Sequence, residues 1–180
     1  MLNVFVTGRP GVGKTTVIRR TVEELDKMGY TCGGVSTPEI RIRGVRVGFE
    51  IIDLATNSRG ILAHVDNPAG PRIGRYKVNL NDIRRVGVNA IEEAIKKADY
   101  LVIDEVGPME LLSRDFREAV RSAIKSRKPV LGVLHWKAQA PLVKEVKSRS
   151  DVRVYEVTPQ NHQSLHRTLV EKVVESIKRA

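Results

Sequence analysis

The chain has 180 residues, of which 41% are hydrophobic, and this suits a single domain with a buried core. Its formal net charge is +10, and no apolar run approaches the roughly 18 residues of a membrane-spanning helix, so we expect no membrane span. Cys32 is the only cysteine, which excludes an internal disulfide. We therefore expect a reducing cytoplasm and no cleaved signal peptide.

The first predicted elements are a strand, a glycine-rich loop and a helix. The strand covers residues 2–7, and apolar residues at helical spacing from Val17 to Met28 predict a helix that Gly29 ends. Between them, eight residues match the pattern G-x-x-x-x-G-K-[ST] without exception. They are Gly8, Arg9, Pro10, Gly11, Val12, Gly13, Lys14 and Thr15.

This loop predicts a phosphate-binding site. Glycines let the backbone fold around a phosphate, so that successive N–H groups and the helix N-terminus point at its oxygens. Lys14 then reaches the outer phosphates, Thr15 becomes a ligand of Mg²⁺, and Thr16 completes the nucleotide-binding segment. The alternative is a glycine-rich turn between a core strand and a core helix. The position at the first strand-to-helix junction favours a site for nucleoside triphosphates.

An antiparallel β insertion is predicted from about residue 31 to residue 78. A strand over 30–35 leads into it, and the alternation of Val45, Val47, Phe49 and Ile51 with other residues is typical of a half-exposed strand. Strand character resumes over 60–63. Proline and glycine residues predict a loop over 66–74, and a helix follows over about 82–97.

A second functional segment follows at residues 100–105, where a buried strand ends in two carboxylates. This is the Walker B pattern, in which Asp104 holds the magnesium shell and Glu105 orients the attacking water. Glu110 is the second candidate for that base. A core strand with an acidic exit is the alternative, which the phosphate loop disfavours. The nucleotide-binding residues predicted here are Ile103, Asp104, Glu105, Val106, Gly107 and Pro108.

The remainder alternates helices and strands: helix 113–126, strand 130–134, helix 142–147, strand 152–157 and a last helix from about residue 165. These units predict an α/β fold with a mainly parallel sheet and a site at the carboxyl ends of its strands. One face of the helix over 113–126 is basic, through Arg114, Arg117, Arg121 and Lys125. Three interpretations of this face are compatible with the sequence. It is a solvated face, a surface that binds nucleic acid or another polyanion, or a face that supplies a residue to a neighbouring active site.

The octapeptide from Asp104 to Leu111, DEVGPMEL, resembles the D-E-[IV]-G-x-M-E-[LF] signature of a small nucleoside-triphosphatase family. That family was described from thermophilic microbes and, in vertebrates, as cancer-related nucleoside-triphosphatase. The segments Gly48-Phe49-Glu50-Ile51, 74–78 and 157–161 also resemble it, so the likeness spans the whole chain. It implies slow, Mg²⁺-dependent hydrolysis of ATP, GTP and other nucleoside triphosphates. It also implies a three-layer P-loop fold with RecA-like strand order, in which another strand separates the loop strand from the Walker B strand.

Two further residues follow from that analogy. If strand 130–134 is the intervening strand, His135 lies at its tip near the γ-phosphate, where related ATPases keep a polar sensor; a surface or capping histidine is equally compatible with the sequence. The loop over 158–163 would pass over the nucleobase, and Asn161 offers an amide for it. The alternative is that Thr158 and Asn161 cap the final helix.

Other functions are compatible with parts of this pattern. A kinase that passes the γ-phosphate to a small acceptor shares the fold, but only the stretch 66–76, with Arg72 and Arg75, could replace its arginine-rich lid. A signalling GTPase would carry an Asn-Lys-x-Asp motif, which the chain lacks. A nucleic-acid-dependent ATPase is favoured by the charge alone.

Overall fold

A ten-stranded sheet forms the centre of the protein, which the computed structural model describes from residue 2 to residue 179. The strands are β1 (Asn3–Thr7), β2 (Cys32–Ser36), β3 (Glu39–Ile42), β4 (Val45–Asp53), β5 (Arg59–His64), β6 (Arg72–Ile73), β7 (Tyr76–Val78), β8 (Tyr100–Val106), β9 (Val130–Leu134) and β10 (Val152–Glu156). The helices are α1 (Lys14–Lys27), α2 (residues 80–97), α3 (Arg114–Lys125), α4 (Pro141–Ser148) and α5 (Leu165–Lys178). A single 3₁₀ turn, Glu110–Leu112, precedes α3.

The sheet has a parallel half and an antiparallel half. Strands β10, β1, β9, β8 and β2 lie side by side in parallel, and β4, β5, β7 and β6 continue the sheet with antiparallel pairing. β3 pairs with β4 outside that order. β9 therefore separates β1 from β8, so the predicted P-loop strand order is confirmed.

Helices cover both faces of the parallel half. Successive side chains of a strand point to opposite faces, and in β1 Val4 and Val6 join a cluster with residues of α1 and α5, whereas Phe5 belongs to the cluster with α2, α3 and α4. Strands that are buried on both faces have continuous apolar sequences. For this reason β8 and β9 could be predicted from the sequence as buried strands. The result is a three-layer α/β arrangement, as predicted.

Three details differ from the sequence expectations. β2 lies inside the expected insertion from about residue 31, but it pairs in parallel with β8, so the antiparallel strands begin at Glu39. Helix α2 begins at Leu80 rather than 82, because the Asn79 side chain caps it by accepting a hydrogen bond from the Asp82 N–H. The predicted loop over 66–74 contains the short strand β6.

The middle of α2 is π-helical over Ile83–Val88. It packs closely on the insertion, since a Cβ placed on Gly87 would lie 2.6 Å from the Ile51 side chain of β4. This contact joins the antiparallel strands to the helical layer. Within residues 2–179, none of the helices combines the length and the apolar character needed to cross a membrane.

Candidate functional site

The phosphate loop joins β1 to α1 at the carboxyl edge of the parallel strands. Gly8, Gly11 and Gly13 have φ angles of 150°, 76° and 104°, which side-chain-bearing residues rarely adopt. Gly8 also has no room for a side chain, because a Cβ there would lie 2.7 Å from the carbonyl oxygen of Val157. Glycine at these positions lets the loop curl over the first turn of α1 and turn its N–H groups inward.

Lys14 spans this loop. Its Nζ donates hydrogen bonds to the carbonyl oxygens of Gly8 at 2.8 Å and Arg9 at 3.1 Å. The ammonium group is therefore held over the mouth of the loop, where the outer phosphates of a nucleotide would lie. Arg9 takes part through its backbone.

Thr15 and Asp104 meet beneath the loop. The Thr15 side chain is hydrogen-bonded to the Asp104 carboxylate, which is 8% exposed at the end of β8. Burial, followed by the charge of Glu105, raises the pKa of Asp104 to about 6, while the bond from Thr15 and the charge of Lys14 act in the opposite direction. A hydroxyl and a carboxylate in contact are oxygen ligands of the kind that Mg²⁺ takes from proteins.

Glu105 and Glu110 converge on Gly107. A Cβ placed on Gly107 would lie 2.8 Å from Oε1 of Glu105 and 3.0 Å from Oε2 of Glu110. The register of β8 with β9 shifts between Ile103 and Val106, so the backbone departs from regular pairing here. The Asp104–Glu105 peptide bond is cis. Burial raises the pKa of Glu105, and the nearby Lys14 ammonium opposes that shift.

Glu110 is the more deeply buried of the two glutamates, at 3% exposure. Burial, followed by the charge of Glu105, raises the pKa of Glu110 to about 8, so this carboxyl group is protonated at neutral pH. Protonation of Glu110 removes one negative charge from the neighbourhood of Glu105. Of the two, Glu105 is left as the group that can accept a proton.

Thr37, which the sequence analysis missed, connects these carboxylates. It directly follows β2, and its hydroxyl lies 3.1 Å from Oε1 of Glu110 and 3.0 Å from the carbonyl oxygen of Asp104. The same hydroxyl accepts a hydrogen bond from the Glu105 N–H at 3.3 Å. No local pattern marks this residue, because only the strand order, which places β2 beside β8, brings the residue after β2 to the carboxylates.

His135 lies where the analogy places it, immediately after β9. Its backbone N–H donates to the carbonyl oxygen of Val106 at 3.2 Å, and its ring Nδ1 accepts from the backbone N–H of Lys137 at 3.4 Å. Burial, followed by the charge of Lys14, lowers the pKa of His135, so the ring is neutral at neutral pH. A neutral ring with Nδ1 engaged locally leaves Nε2 as the atom that can meet a phosphate oxygen.

Asn161 is engaged within its own loop. Its side-chain oxygen accepts from the Thr158 N–H at 2.8 Å, and its side-chain nitrogen donates to the Glu156 carbonyl oxygen at 2.9 Å. These bonds hold the Asn161 amide within the loop, which disfavours contact with a base. They do not cap α5 either, because that helix begins at Leu165 with Ser164 as its N-cap and without a side-chain cap hydrogen bond. The neighbouring His162 faces the phosphate loop, with its Cβ 3.7 Å from a Cβ placed on Gly13. His162 is therefore the better candidate for nucleoside contact from this loop.

One cavity of about 570 Å³ brings most of these groups together, but Asn161 and His162 lie outside its lining. The predicted residues that line it are Pro10, Gly11, Gly13, Lys14, Thr15, Thr16, Asp104, Glu105, Pro108 and His135. The side chains of Ile103 and Val106 belong instead to the hydrophobic core, as their burial between helical layers requires. The lining residues that were not assigned to the nucleotide site are Thr37, Glu39, Arg46, Phe49, Leu62, Ile73, Met109, Glu110 and Trp136.

The basic face of α3 is partly engaged in internal contacts. Arg121 pairs with Glu118 at 2.8 Å and with Glu145 at 2.9 Å, and Arg117 donates to the Leu111 carbonyl oxygen. These contacts favour a solvated structural face over a polyanion surface.

Together, the fold and the cavity define a P-loop protein that binds nucleoside triphosphates. The loop lysine, the threonine below it and the carboxylate-ended strand two positions along the sheet occupy the arrangement that this class requires.

Comparisons with known proteins specify the family. A family model described as NTPase matches residues 3–179. The nucleoside-triphosphatase THEP1 of Methanosarcina acetivorans is 50% identical over 153 residues, which is 84% of this chain and 86% of that protein. The crystal structure of THEP1 from Aquifex aeolicus superimposes with a TM-score of 0.85 at 29% identity, covering 96% of this chain and 99% of that one. The solution structure of a human cancer-related nucleoside triphosphatase gives 0.83 at 34% identity, covering 98% and 99%.

The chain belongs to this nucleoside-triphosphatase family, and it is a nucleoside-triphosphatase. The resemblance that the octapeptide suggested is confirmed.

Proposed function

We propose that this enzyme hydrolyses ATP, GTP and other nucleoside triphosphates to the diphosphate and phosphate, slowly and with Mg²⁺. The convergence of Lys14, Asp104 and Glu105 on one cavity carries the proposal. Breadth of substrate is supported by the lack of an Asn-Lys-x-Asp guanine motif in the sequence. Slow turnover and Mg²⁺ dependence are in keeping with the family resemblance. The single cysteine, Cys32, supports a reducing cytoplasm as the compartment.

Binding of the triphosphate is assigned to the loop. The N–H groups of the loop and of the first turn of α1 receive the phosphate oxygens, and Lys14 leaves its two carbonyl partners for the β- and γ-phosphates. Thr15 and Asp104 fit Mg²⁺, which in nucleotide sites takes one or two protein oxygens alongside phosphate oxygens. When bound, the ion neutralises charge on the phosphates.

The hydrolytic step is assigned to Glu105. Its carboxylate takes a proton from a water molecule as that oxygen forms a bond to the γ-phosphorus. The bond from the γ-phosphorus to its bridging oxygen breaks, and the electron pair leaves with the nucleoside diphosphate. Glu110, protonated beside Glu105, limits the negative charge that the incoming phosphate meets. The Lys14 ammonium stabilises the charge that develops on the phosphate oxygens.

The experiment uses nucleoside triphosphates labelled at the γ-phosphate. We expect free labelled phosphate from ATP, GTP and CTP with Mg²⁺, none with a chelator, and almost none from the Lys14→Ala variant. Release that persists with the chelator would remove Mg²⁺ from the proposal. Strict restriction to one nucleotide would remove its breadth of substrate.

A further inference from the structure

The cavity extends well beyond the phosphate loop. Past the two glutamates it reaches the insertion strands, where Phe49, Leu62 and Ile73 form an apolar wall with Met109. Leu62 is 1% exposed, and the other three side chains are half-buried. We call this part, with Arg46, the distal end. A water molecule needs no apolar chamber, whereas pockets for organic ligands are mainly apolar with a few placed polar groups.

The position of the distal end follows from the order of the strands. The loop after β10, with His162, lies against the phosphate loop on one side, and Asp104 and Glu105 at the end of β8 lie on the other. Apart from Met109, the residues of the distal end lie on β4, β5 and β6, farther along in the same direction. A triphosphate with its γ-phosphate at the carboxylates therefore leaves the distal end empty, on the side from which an acceptor approaches.

Arg46 is the fixed polar group of the distal end. Its Nε donates to the Tyr76 hydroxyl at 3.0 Å, and a terminal nitrogen donates to Glu39 at 2.8 Å. The guanidinium carbon lies 5.3 Å from the centre of the Phe49 ring and 5.8 Å from that of Tyr76. A guanidinium group already fixed on aromatic rings loses little further entropy when it binds an anion.

The charges around Arg46 favour an anionic ligand. Glu39 also pairs with Arg41 at 2.7 Å, and the Arg75 guanidinium lies 5.3 Å from the centre of the Tyr76 ring. Arg75 additionally donates to the backbone carbonyl of Arg46. Arg46 and Arg41 both pair with Glu39, and Arg75 adds a third guanidinium group beside Tyr76, so positive charge exceeds negative charge around Arg46.

We propose that the distal end binds a small organic anion with an apolar or aromatic body and a hydroxyl group, and that this hydroxyl accepts the γ-phosphoryl group in place of water. The inference rests on the proposed function, since it uses the same nucleotide site and Glu105. The hydroxyl proton passes to Glu105 as its oxygen bonds to the γ-phosphorus, and the bond to the bridging oxygen breaks. The products are an organic phosphate ester, a nucleoside diphosphate and the proton.

The test follows label from [γ-³²P]ATP in the presence of Mg²⁺ and defined acceptors. The anionic probes are 4-hydroxybenzoate and 3-hydroxybutyrate, and their uncharged counterparts are the methyl esters of the same two acids, which keep the same single hydroxyl group. Chromatography separates labelled organic ester from free phosphate. Their ratio in each mixture is the readout, because both products come from the same folded enzyme.

We expect labelled ester with at least one anionic probe and much less with its uncharged counterpart. Arg46→Ala should lower the ratio of ester to free phosphate by about tenfold or more, because the anion loses its charge-assisted partner. The matched control is Arg41→Ala, which also removes a partner of Glu39 but lies outside the cavity lining. Because Arg41 adds charge nearby but does not line the cavity, this variant should lower the ratio far less than Arg46→Ala does.

Free phosphate as the only labelled product with every probe would overturn this inference and leave the hydrolase intact. An ester whose yield ignores both the probe's charge and Arg46→Ala would overturn the assignment of the distal end. Ester without any free phosphate would support the inference and contradict hydrolysis as the main activity. The absence of both products would remove the two proposals together.

Discussion

Replacing Glu110 by Gln should change how the stability of the protein depends on pH. The buried carboxyl accepts a contact from the Thr37 hydroxyl at 3.1 Å, and the amide oxygen of Gln can accept the same contact. Only the titration is lost. Burial and the charge of Glu105 raise the pKa of Glu110 from its ordinary value of 4.5 to about 8 in the folded protein.

The sign follows from proton binding. Between those two pKa values the folded protein keeps a proton on Glu110 that the unfolded chain has lost, so a rise in pH favours unfolding. The stabilisation is complete below the unfolded pKa and is lost as the pH rises through the folded pKa. At about 1.4 kcal/mol for each pH unit, a change from about pH 5 to about pH 8 removes roughly 3 kcal/mol.

Urea unfolding of the parent and of Glu110→Gln at both pH values gives the comparison directly. The parent should lose roughly 3 kcal/mol more than the variant, or roughly 6–12 °C in melting temperature for a domain of this size. Asp104, whose pKa is raised to about 6, titrates in both proteins, so its contribution cancels when their changes in unfolding free energy are compared. Glu171→Gln, an exposed control, should follow the parent. Parallel pH profiles of Glu110→Gln and the parent would refute the assignment of a neutral Glu110.

Three further substitutions test the site. Lys14→Ala should abolish hydrolysis without lowering the melting temperature of the nucleotide-free protein, since Lys14 lies outside the apolar core and its hydrogen bonds go to two loop carbonyls. Differential scanning calorimetry beside a phosphate-release assay checks both, and an active variant would end the phosphate-loop assignment. Asp104→Asn should weaken both Mg²⁺-dependent nucleotide binding, measured by titration calorimetry, and turnover, measured by steady-state kinetics. Loss of turnover alone would contradict the role of Asp104 as a Mg²⁺ ligand. Asn161→Ala should lower the melting temperature and change the KM values for ATP, GTP and CTP equally, because the hydrogen bonds of its side-chain amide lie within its own loop. KM values that change unevenly among the three nucleotides would restore its role at the base.

The parallel half of the fold could be predicted from the sequence because its signals are local. Continuous apolar runs identified β8 and β9, and the glycine pattern placed the loop between β1 and α1. The errors arose where a single side chain or a distant partner decides the structure. Asn79 starts α2 earlier than the apolar periodicity indicated, and pairing with β8 removes β2 from the insertion.

The site could be predicted only where its residues are consecutive. Lys14, Thr15, Asp104 and Glu105 came from two short motifs, and the structure brings them to one cavity. Thr37 and the distal end could not be identified in the same way. The order of the strands across the sheet brings β2, β4 and β5 to the carboxylates, and a motif with fixed spacing along the chain does not record that order. The raised pKa of Glu110 likewise depends on burial that no local pattern reveals.

Hydrolysis depends most directly on Glu105 as the base that orients the attacking water. Nucleotide affinity and single-turnover phosphate release, measured together on Glu105→Gln and Glu110→Gln, test this claim. Glu105→Gln should bind ATP with Mg²⁺ as tightly as the parent, while its rate of phosphate release should fall by about 100-fold or more. Full activity of Glu105→Gln beside an inactive, folded Glu110→Gln would contradict it and assign the base to Glu110.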